Sequence, residues 1–501
     1  MLPSGDPVVA RREGDLPVMG AAAACANCHR RSGLGETEGR ITIPPISAPY
    51  LFHRPAAQRS DLDVPYVAGM RINREPYTAA TFARAVREGV GVDGEELSRL
   101  MPRYAMSDAD LAAVLDYLIS LEPFKAPGVT GSTINFATLI TPDADPVKRR
   151  ALLSVLEPYF AEQDAAALAK RPEPLRSPTL QLNARRRWRL HVWELTGPPA
   201  TWEAQLRQRM QREPVYAVIS GVSGAQWSPV HRFCESAKVP CILPNVDLPV
   251  VAEQDFYSIY FSRGVLLEAG LLAQRIGSAP RPRGRVVQVY RAGDIGEAAA
   301  KAMQAALAGS GIKTIERPVR PGGAASLARA LGPEQPGDSL ILWLRPPDVA
   351  ALNGVPVRTG QVYLSGLMSG LEAAPVPPSW RRVLQLTYPA ELPDRRSTTV
   401  DYALGWFAHN RIPVLDGRLQ VDTYVACSAV LETLTEMGTA FAPEYLVERM
   451  EGMLDHQIVS GYYPRLSLAP DERFASKGGY IVHFAEAAGS RLLPDTEWLD
   501  P

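Results

Sequence analysis

The sequence predicts a multi-domain protein, a small all-α unit followed by a two-lobed α/β body. Three observations predict it. The chain has 501 residues, too many for one ordinary domain. Before residue 125, apolar residues recur at helical spacing downstream of one closely spaced cysteine pair. After residue 132, apolar runs of strand length alternate with amphipathic helices, and the alternation restarts midway. Composition then narrows the function. Lys plus Arg number 53 against 54 Asp plus Glu. With a sequence pI of about 6.7, that balance argues against a nucleic-acid binder or a coat for anionic membranes. A hydrophobic share of 46% and a charged share of 21% fit a folded chain and exclude wholesale disorder. Gly and Pro follow no period, and no apolar run reaches the roughly 18 residues of a spanning helix.

In the first unit, Gly20-Ala-Ala-Ala-Ala24 reads as a helix start and leads into Cys25-Ala26-Asn27-Cys28-His29. C-x-x-C-H is the attachment signature of c-type haem. Two thiols meet one porphyrin edge through thioether bonds, and the next residue supplies an imidazole to the iron. A redox dithiol or half a zinc site are the alternatives for C-x-x-C alone. Cys234 and Cys241 are seven apart and offer no second C-x-x-C, and no βαβ pattern precedes the motif. Downstream, Thr81 to Val90 reads as a helix, and Asp93-Gly94 as a turn. Leu100-Met101-Pro102-Arg103-Tyr104 then precedes Ser107, an N-cap with Asp108 and Asp110 in the first turn. Leu111, Val114, Leu115 and Leu118 recur at helical spacing after it.

Residues 15–124 resemble a class I cytochrome c. The motif is followed by a Gly-rich loop (Gly33, Gly35, Gly39), Pro44-Pro45, and a Met-Pro loop before the last helix. The resemblance implies a covalent haem c on Cys25 and Cys28, with His29 and Met101 as axial iron ligands. Met106 and His53 are the alternatives to Met101, and Met70 reads as core filling. A filled His/Met iron carries single electrons and offers no open position to a substrate. The first 124 residues hold 13 Arg, no Lys and 16 acids. Partner docking is therefore expected to use Arg30, Arg31 and the apolar haem rim rather than a Lys-rich face. The domain division expected is 1–124, a linker at 125–132, and 133–501.

The second domain opens with strand 135–140, turn residues Thr141 to Pro146, and a helix over 147–169. Strands follow at 188–194, 215–221 and 240–244, with helices at 200–212 and 228–237. The series restarts with helix 264–276, strand 284–290, a Gly-Asp-Ile-Gly turn at 293–296 and helix 297–309. Further strands read at 314–316, 339–344, 361–365 and 382–387, then a helix at 421–437 and a closing strand at 479–484. No G-x-G-x-x-G follows a first strand. This order resembles the type I periplasmic binding proteins of branched-chain amino acid transport, most specifically at Val215 to Pro244, Tyr290 to Gly296, and the Leu-Ser-Leu…Arg-Phe stretch ending at Phe474.

The resemblance implies a ligand cleft between lobes at the carboxyl ends of strands. The matching positions are Ser223, Gly224, Asn245, Asp247, Tyr257, Ser262 and Arg291. Backbone N–H groups beside Ser223 are candidates for binding a carboxylate. Ser365-Gly-Leu-Met-Ser-Gly370 carries no acid where the family places one for a ligand ammonium, which disfavours an α-amino acid. Cys234 and Cys241 read either as a disulfide or as two buried thiols, and Cys427 as core.

Covalent haem implies maturation in the periplasm. The N-terminus has no basic start followed by an apolar stretch, so a processed or trimmed chain is expected. The leading functional expectation is a periplasmic electron carrier, not an enzyme. Its expected partners are a redox protein, such as a quinoprotein (PQQ-dependent) dehydrogenase or another cytochrome, and a small-molecule ligand. The alternatives are a solute receptor of an ABC-type transporter with the haem as redox sensor, and a scaffold without a ligand.

Overall fold

The computed structural model describes residues 9–11, 17–52, 74–123, 125–168, 186–252, 255–278, 284–320, 323–332, 335, 337–358, 360–438, 440–454, 460–469, 472–487 and 489–501. His53 and Met70 lie outside them.

The first unit differs from the all-α expectation. Helices Ala26–His29, Ala48–Leu51, Ala79–Glu88 and Asp108–Ser120 are present. Beside them, Val9–Arg11 pairs antiparallel with both Pro17–Met19 and Arg103–Ala105, and Glu36–Glu38 pairs with Ile41–Ile43. Alternation explains Arg103–Ala105: Tyr104 points inward, and its hydroxyl donates to the Ala23 carbonyl at 2.9 Å. The two longer helices begin as their sequences dictate. Thr78 and Thr81 form a capping box, and Ser107 accepts from the Asp110 N–H at 3.1 Å.

Two sheets make the body. In the first, the parallel order is Arg187–Glu194, Thr133–Ile140, Ala217–Ile219, Cys241–Ile242, Ser258–Ile259. In the second, the order is Thr314–Val319, Val286–Arg291, Ser339–Trp343, Gln361–Leu364 and Leu384–Tyr388, all parallel. Antiparallel Tyr480–Phe484 and Leu492–Pro494 complete it. Central strands such as Ser339–Trp343 are buried along their whole length, because helices cover both faces of a parallel sheet. In each sheet the earliest strand lies second in order. The strand order therefore reverses beside Thr133–Ile140 in one lobe and beside Val286–Arg291 in the other, which opens a crevice at their carboxyl ends.

Two further departures bear on the site. Helices Ser397–His409 and Pro443–Met453, absent from the sequence reading, flank the long helix Gly417–Met437. The Leu-Ser-Leu…Arg-Phe stretch ending at Phe474 forms no strand among its described residues and makes one bridge, Phe474 with Tyr260.

The segment expected as a linker is packed in place. Pro123 carbonyl accepts from the Phe441 and Ala442 N–H groups, and Gly128 carbonyl from Asn135. Gly128 has φ +75°, and a Cβ there would meet the Tyr216 nitrogen at 2.4 Å. Leu34 and Tyr50, from the first unit, are buried inside the core of the first lobe, with Phe136, Leu446 and Val447. The two units therefore share a core.

Candidate functional site

The C-x-x-C-H segment is built by one turn of helix and one tight loop. Cys25 caps the helix Ala26–His29, so Cys25 and Cys28 stand one turn apart as half-buried free thiols. Burial pushes the Cys25 thiol up, against a weak hydrogen bond with Tyr104. After His29 the chain doubles back, and Gly35 N–H donates to the His29 carbonyl at 3.0 Å. Gly35 has φ +69°, and a Cβ there would meet Ile43 O at 2.1 Å and Pro44 O at 2.9 Å. This close approach places the Pro44 carbonyl 2.9 Å from His29 Nδ1. A carbonyl only accepts, so Nδ1 carries the proton and Nε2 is the basic nitrogen. Burial lowers the His29 pKa, and the Pro44 bond partly opposes this.

These residues fit a c-type haem: two thiols on one turn, and a half-buried imidazole that the Pro44 carbonyl holds in the ligating tautomer. Met101 sits half-buried in the turn that Arg103 closes on the Met101 carbonyl at 2.6 Å. Met106 instead packs against the apolar cluster of Tyr104, Leu111 and Cys25. Arg30 turns into the molecule, while Arg31 stays exposed. Arg30 pairs with Glu451, and the Arg31 guanidinium stacks 4.4 Å above the Phe256 ring.

The crevice between lobes is filled by the protein's own charges. Asp143, at the end of strand Thr133–Ile140, accepts from Ala225 N–H at 2.8 Å and Gly224 N–H at 3.3 Å, and from the Thr141 hydroxyl. The amides expected to bind a ligand carboxylate thus hold an internal one. Asp247 lies 3.5 Å from Lys148 and 3.1 Å from Arg418. Burial alone would raise its pKa, but Lys148, Arg418 and Arg345 outweigh that and hold it at about 2. From the second lobe, Arg345 pairs twice with Asp294 at 2.7 Å and reaches the Gly224 carbonyl at 3.3 Å.

Of the expected cleft positions, Gly224 and Asp247 take part in this network. Ser223 lies half-buried beside them. Ser262 accepts from Gly264 N–H at 3.1 Å and shapes the crossing between lobes. Three positions belong elsewhere. Asn245 donates to Ser220 and Thr423, inside the first lobe. Arg291 pairs with Asp348, the Nε bond being 2.7 Å, within the second lobe. Tyr257 donates to Glu444, on the face that meets the first unit.

An acid does stand beside Ser365, contributed by another element. Glu268, on helix Val265–Gly277, accepts from the Ser365 and Thr387 hydroxyls and from Leu367 N–H at 2.9 Å. Burial pushes its carboxyl up to about 7 despite these bonds. Sequence reasoning missed Asp143, Lys148, Arg345, Arg418 and Glu268. Asp143 had a usable signal, an acid three residues beyond a buried strand's carboxyl end.

Cys234 and Cys241 stand as buried free thiols. His231, Glu235 and Asp255 cluster with metal-like proximity, but their polar atoms already serve the fold. His231 bonds Tyr260 and Asp255, each at 2.8 Å, and the Glu235 carboxylate takes the Phe256 and Tyr257 N–H groups.

No family model matches the chain, and no curated protein does. Solved structures do. A fatty acid ABC transporter substrate-binding protein from Thermomonospora curvata matches with a TM-score of 0.52 at 16% identity, over 75% of this chain and 95% of that one. A branched-chain amino acid ABC transporter protein from Thermus thermophilus with bound valine matches with a TM-score of 0.52 at 11% identity, over 74% and 97%. A solute-binding protein of an ABC transporter from Rhodopseudomonas palustris, in complex with 3,4-dihydroxybenzoic acid, gives 0.52 at 12% identity, over 74% and 97%. The body thus has the two-lobed fold of type I periplasmic binding proteins. These likenesses show the fold alone. Among the described residues, no helix is long and apolar enough to cross a membrane.

Proposed function

We propose that the chain is a periplasmic electron carrier, with one haem c bound covalently to Cys25 and Cys28 and a binding-protein fold as the body on which the carrier is mounted. The observation that carries this reading is His29, half-buried beside the two thiols with Nδ1 committed to the Pro44 carbonyl. The bound haem would supply reversible one-electron chemistry. The chain's own residues do the rest. Pro44 orients the imidazole, Gly35 lets Pro44 approach, and Tyr104 and Leu111 belong to the apolar cluster that Cys25 packs against. Met101 is the proposed second axial ligand, and Met106, nearer the apolar cluster, is its alternative. Residues 1–124 form the haem unit and 133–501 the body.

A solute receptor of an ABC-type transporter, with the haem as redox sensor, is the second reading. The fold of the body favours it, since the body is similar to solved substrate-binding proteins of such transporters. The filled crevice favours the carrier: Asp143 occupies the amides that a ligand carboxylate would use. Stopped-flow reduction of the haem by a quinoprotein dehydrogenase or a second cytochrome, set beside thermal-shift screening of small carboxylates, separates the two. Fast reduction without a solute response supports the carrier. Micromolar solute binding with no productive electron donor supports the receptor.

A further inference from the structure

The turn that follows His29 is held by the first lobe as well as by its own unit. Arg30 adopts φ +62°, a backbone conformation that side chains resist. Its guanidinium pairs with Glu451 on helix Pro443–Met453 and lies 3.4 Å from Glu36. Two residues on, Ser32 gives its N–H to Glu448 Oε1 at 2.9 Å and its hydroxyl to Glu448 Oε2. Arg473 closes the set from behind, paired with Glu451 and stacked 5.1 Å from the Phe256 ring, which Arg31 covers at 4.4 Å. Glu451 is 4% exposed and Arg473 5%, and Leu34 completes the anchor at 0%. Buried charges so paired are costly to break, and water does not replace a lost partner.

We infer that Glu448 and Glu451 are positioning residues for the haem ligand, fixing through Ser32 and Arg30 the loop that sets His29 against Pro44. The helix carrying them belongs to the binding-protein fold, so the body tunes the redox centre as well as carrying it. This inference rests on the haem reading above. Loss of either carboxylate changes both the orientation of the loop and the charge beside it, and Glu451 is the stronger case. Without it, Arg473 loses its ion pair and Arg30 keeps Glu36, so more positive charge stands beside the His29 loop, which would disfavour the oxidised state of a bound haem.

The test uses the full-length, haem-loaded chain. Midpoint potentials are measured by spectroelectrochemical titration for Glu451→Gln, Glu448→Gln and Leu386→Ala, the last a core truncation in the second lobe. Glu451→Gln is expected to raise the potential by a several-fold change in the one-electron equilibrium constant, where tenfold corresponds to about 59 mV. Glu448→Gln, which keeps shape and an acceptor oxygen, is expected to move it less in the same direction. Leu386→Ala is expected to lower the unfolding temperature and leave the potential unchanged. Should Glu451→Gln not fold, Glu448→Gln carries the test alone. Potentials equal to the native value in the glutamine variants overturn the inference while the haem reading stands. A native chain that releases all its haem on acid extraction removes both.

Discussion

At the residue scale the account turns on Gly35. Its left-handed backbone and missing Cβ let the Ile43–Pro44 backbone come close enough for Pro44 to hold His29. Gly35→Ala puts a methyl carbon into the space of two carbonyl oxygens, besides the cost of a positive φ, roughly 1 kcal/mol. The expected outcome is a displaced Pro44 carbonyl, visible as a changed His29 imidazole signal in NMR, with lower haem occupancy. An unchanged imidazole environment would contradict this role for Gly35. Such a residue is half legible in sequence: Gly33, Gly35 and Gly39 stand out as a loop, but which of them faces a carbonyl depends on where residues 43–44 return. Arg30 departs from expectation for a similar reason. Adjacent arginines in a loop read as a solvent face; Arg31 is exposed, and only the buried Glu451 carboxylate of a distant helix draws Arg30 inward.

At the scale of elements, strand ends explain both what the crevice contains and what sequence reading missed. Thr133–Ile140 and Val286–Arg291 flank the points where strand order reverses, so Asp143 and Asp294 are delivered to the same crevice from different lobes. Asp143→Ala would free the Gly224 and Ala225 amides and remove a negative charge near Arg345. Benzoate is then expected to raise the variant's unfolding temperature by about 2 °C or more at saturating concentration, and to leave the native protein unmoved. Equal responses would contradict the idea that Asp143 stands in for a ligand. Helix Ser228–Ala237 was read from sequence with its boundaries intact, because its apolar residues keep a clean period. Ser397–His409 was not, since Thr398, Thr399 and Val400 at its start are β-branched and favour strand locally. Pro443–Met453 was hidden differently: Glu448 and Glu451 sit on its buried face, and acids there interrupt the apolar period that marks a helix.

At the scale of the molecule, the buried carboxyls set the response to pH. Burial pushes Glu268, Asp422 and Glu448 up to about 7, the last despite bonds from Ser32 and the nearby Arg30. Folding thus favours their protonated forms. The stability this contributes is complete below the unfolded values, roughly 4 to 4.5, and is lost as pH rises through 7. Asp247 and Asp338 act in the opposite sense. Both are held at about 2, Asp247 by its cations against burial and Asp338 chiefly by hydrogen bonds from Arg285. Their contribution is present above about 4 and is lost as pH falls through 2. Urea unfolding is therefore expected to show higher stability at pH 5 than at pH 8, with a steep fall below pH 3; greater stability at pH 8 would contradict the assignment.

The two-lobed plan of the body was legible from the restarting strand–helix series. Its joining to the first unit was not, because Leu34 and Tyr50 look like core of their own unit until the first lobe closes over them. The central claim is that this body carries a covalently attached haem beside His29. The most direct measurement is the absorption spectrum of the chain, expressed with a periplasmic haem-attachment system, after denaturation and acid–acetone extraction. The account predicts one haem per chain retained in the protein fraction, lost when Cys25 and Cys28 are both replaced by Ala; a native protein fraction without haem absorption would contradict it.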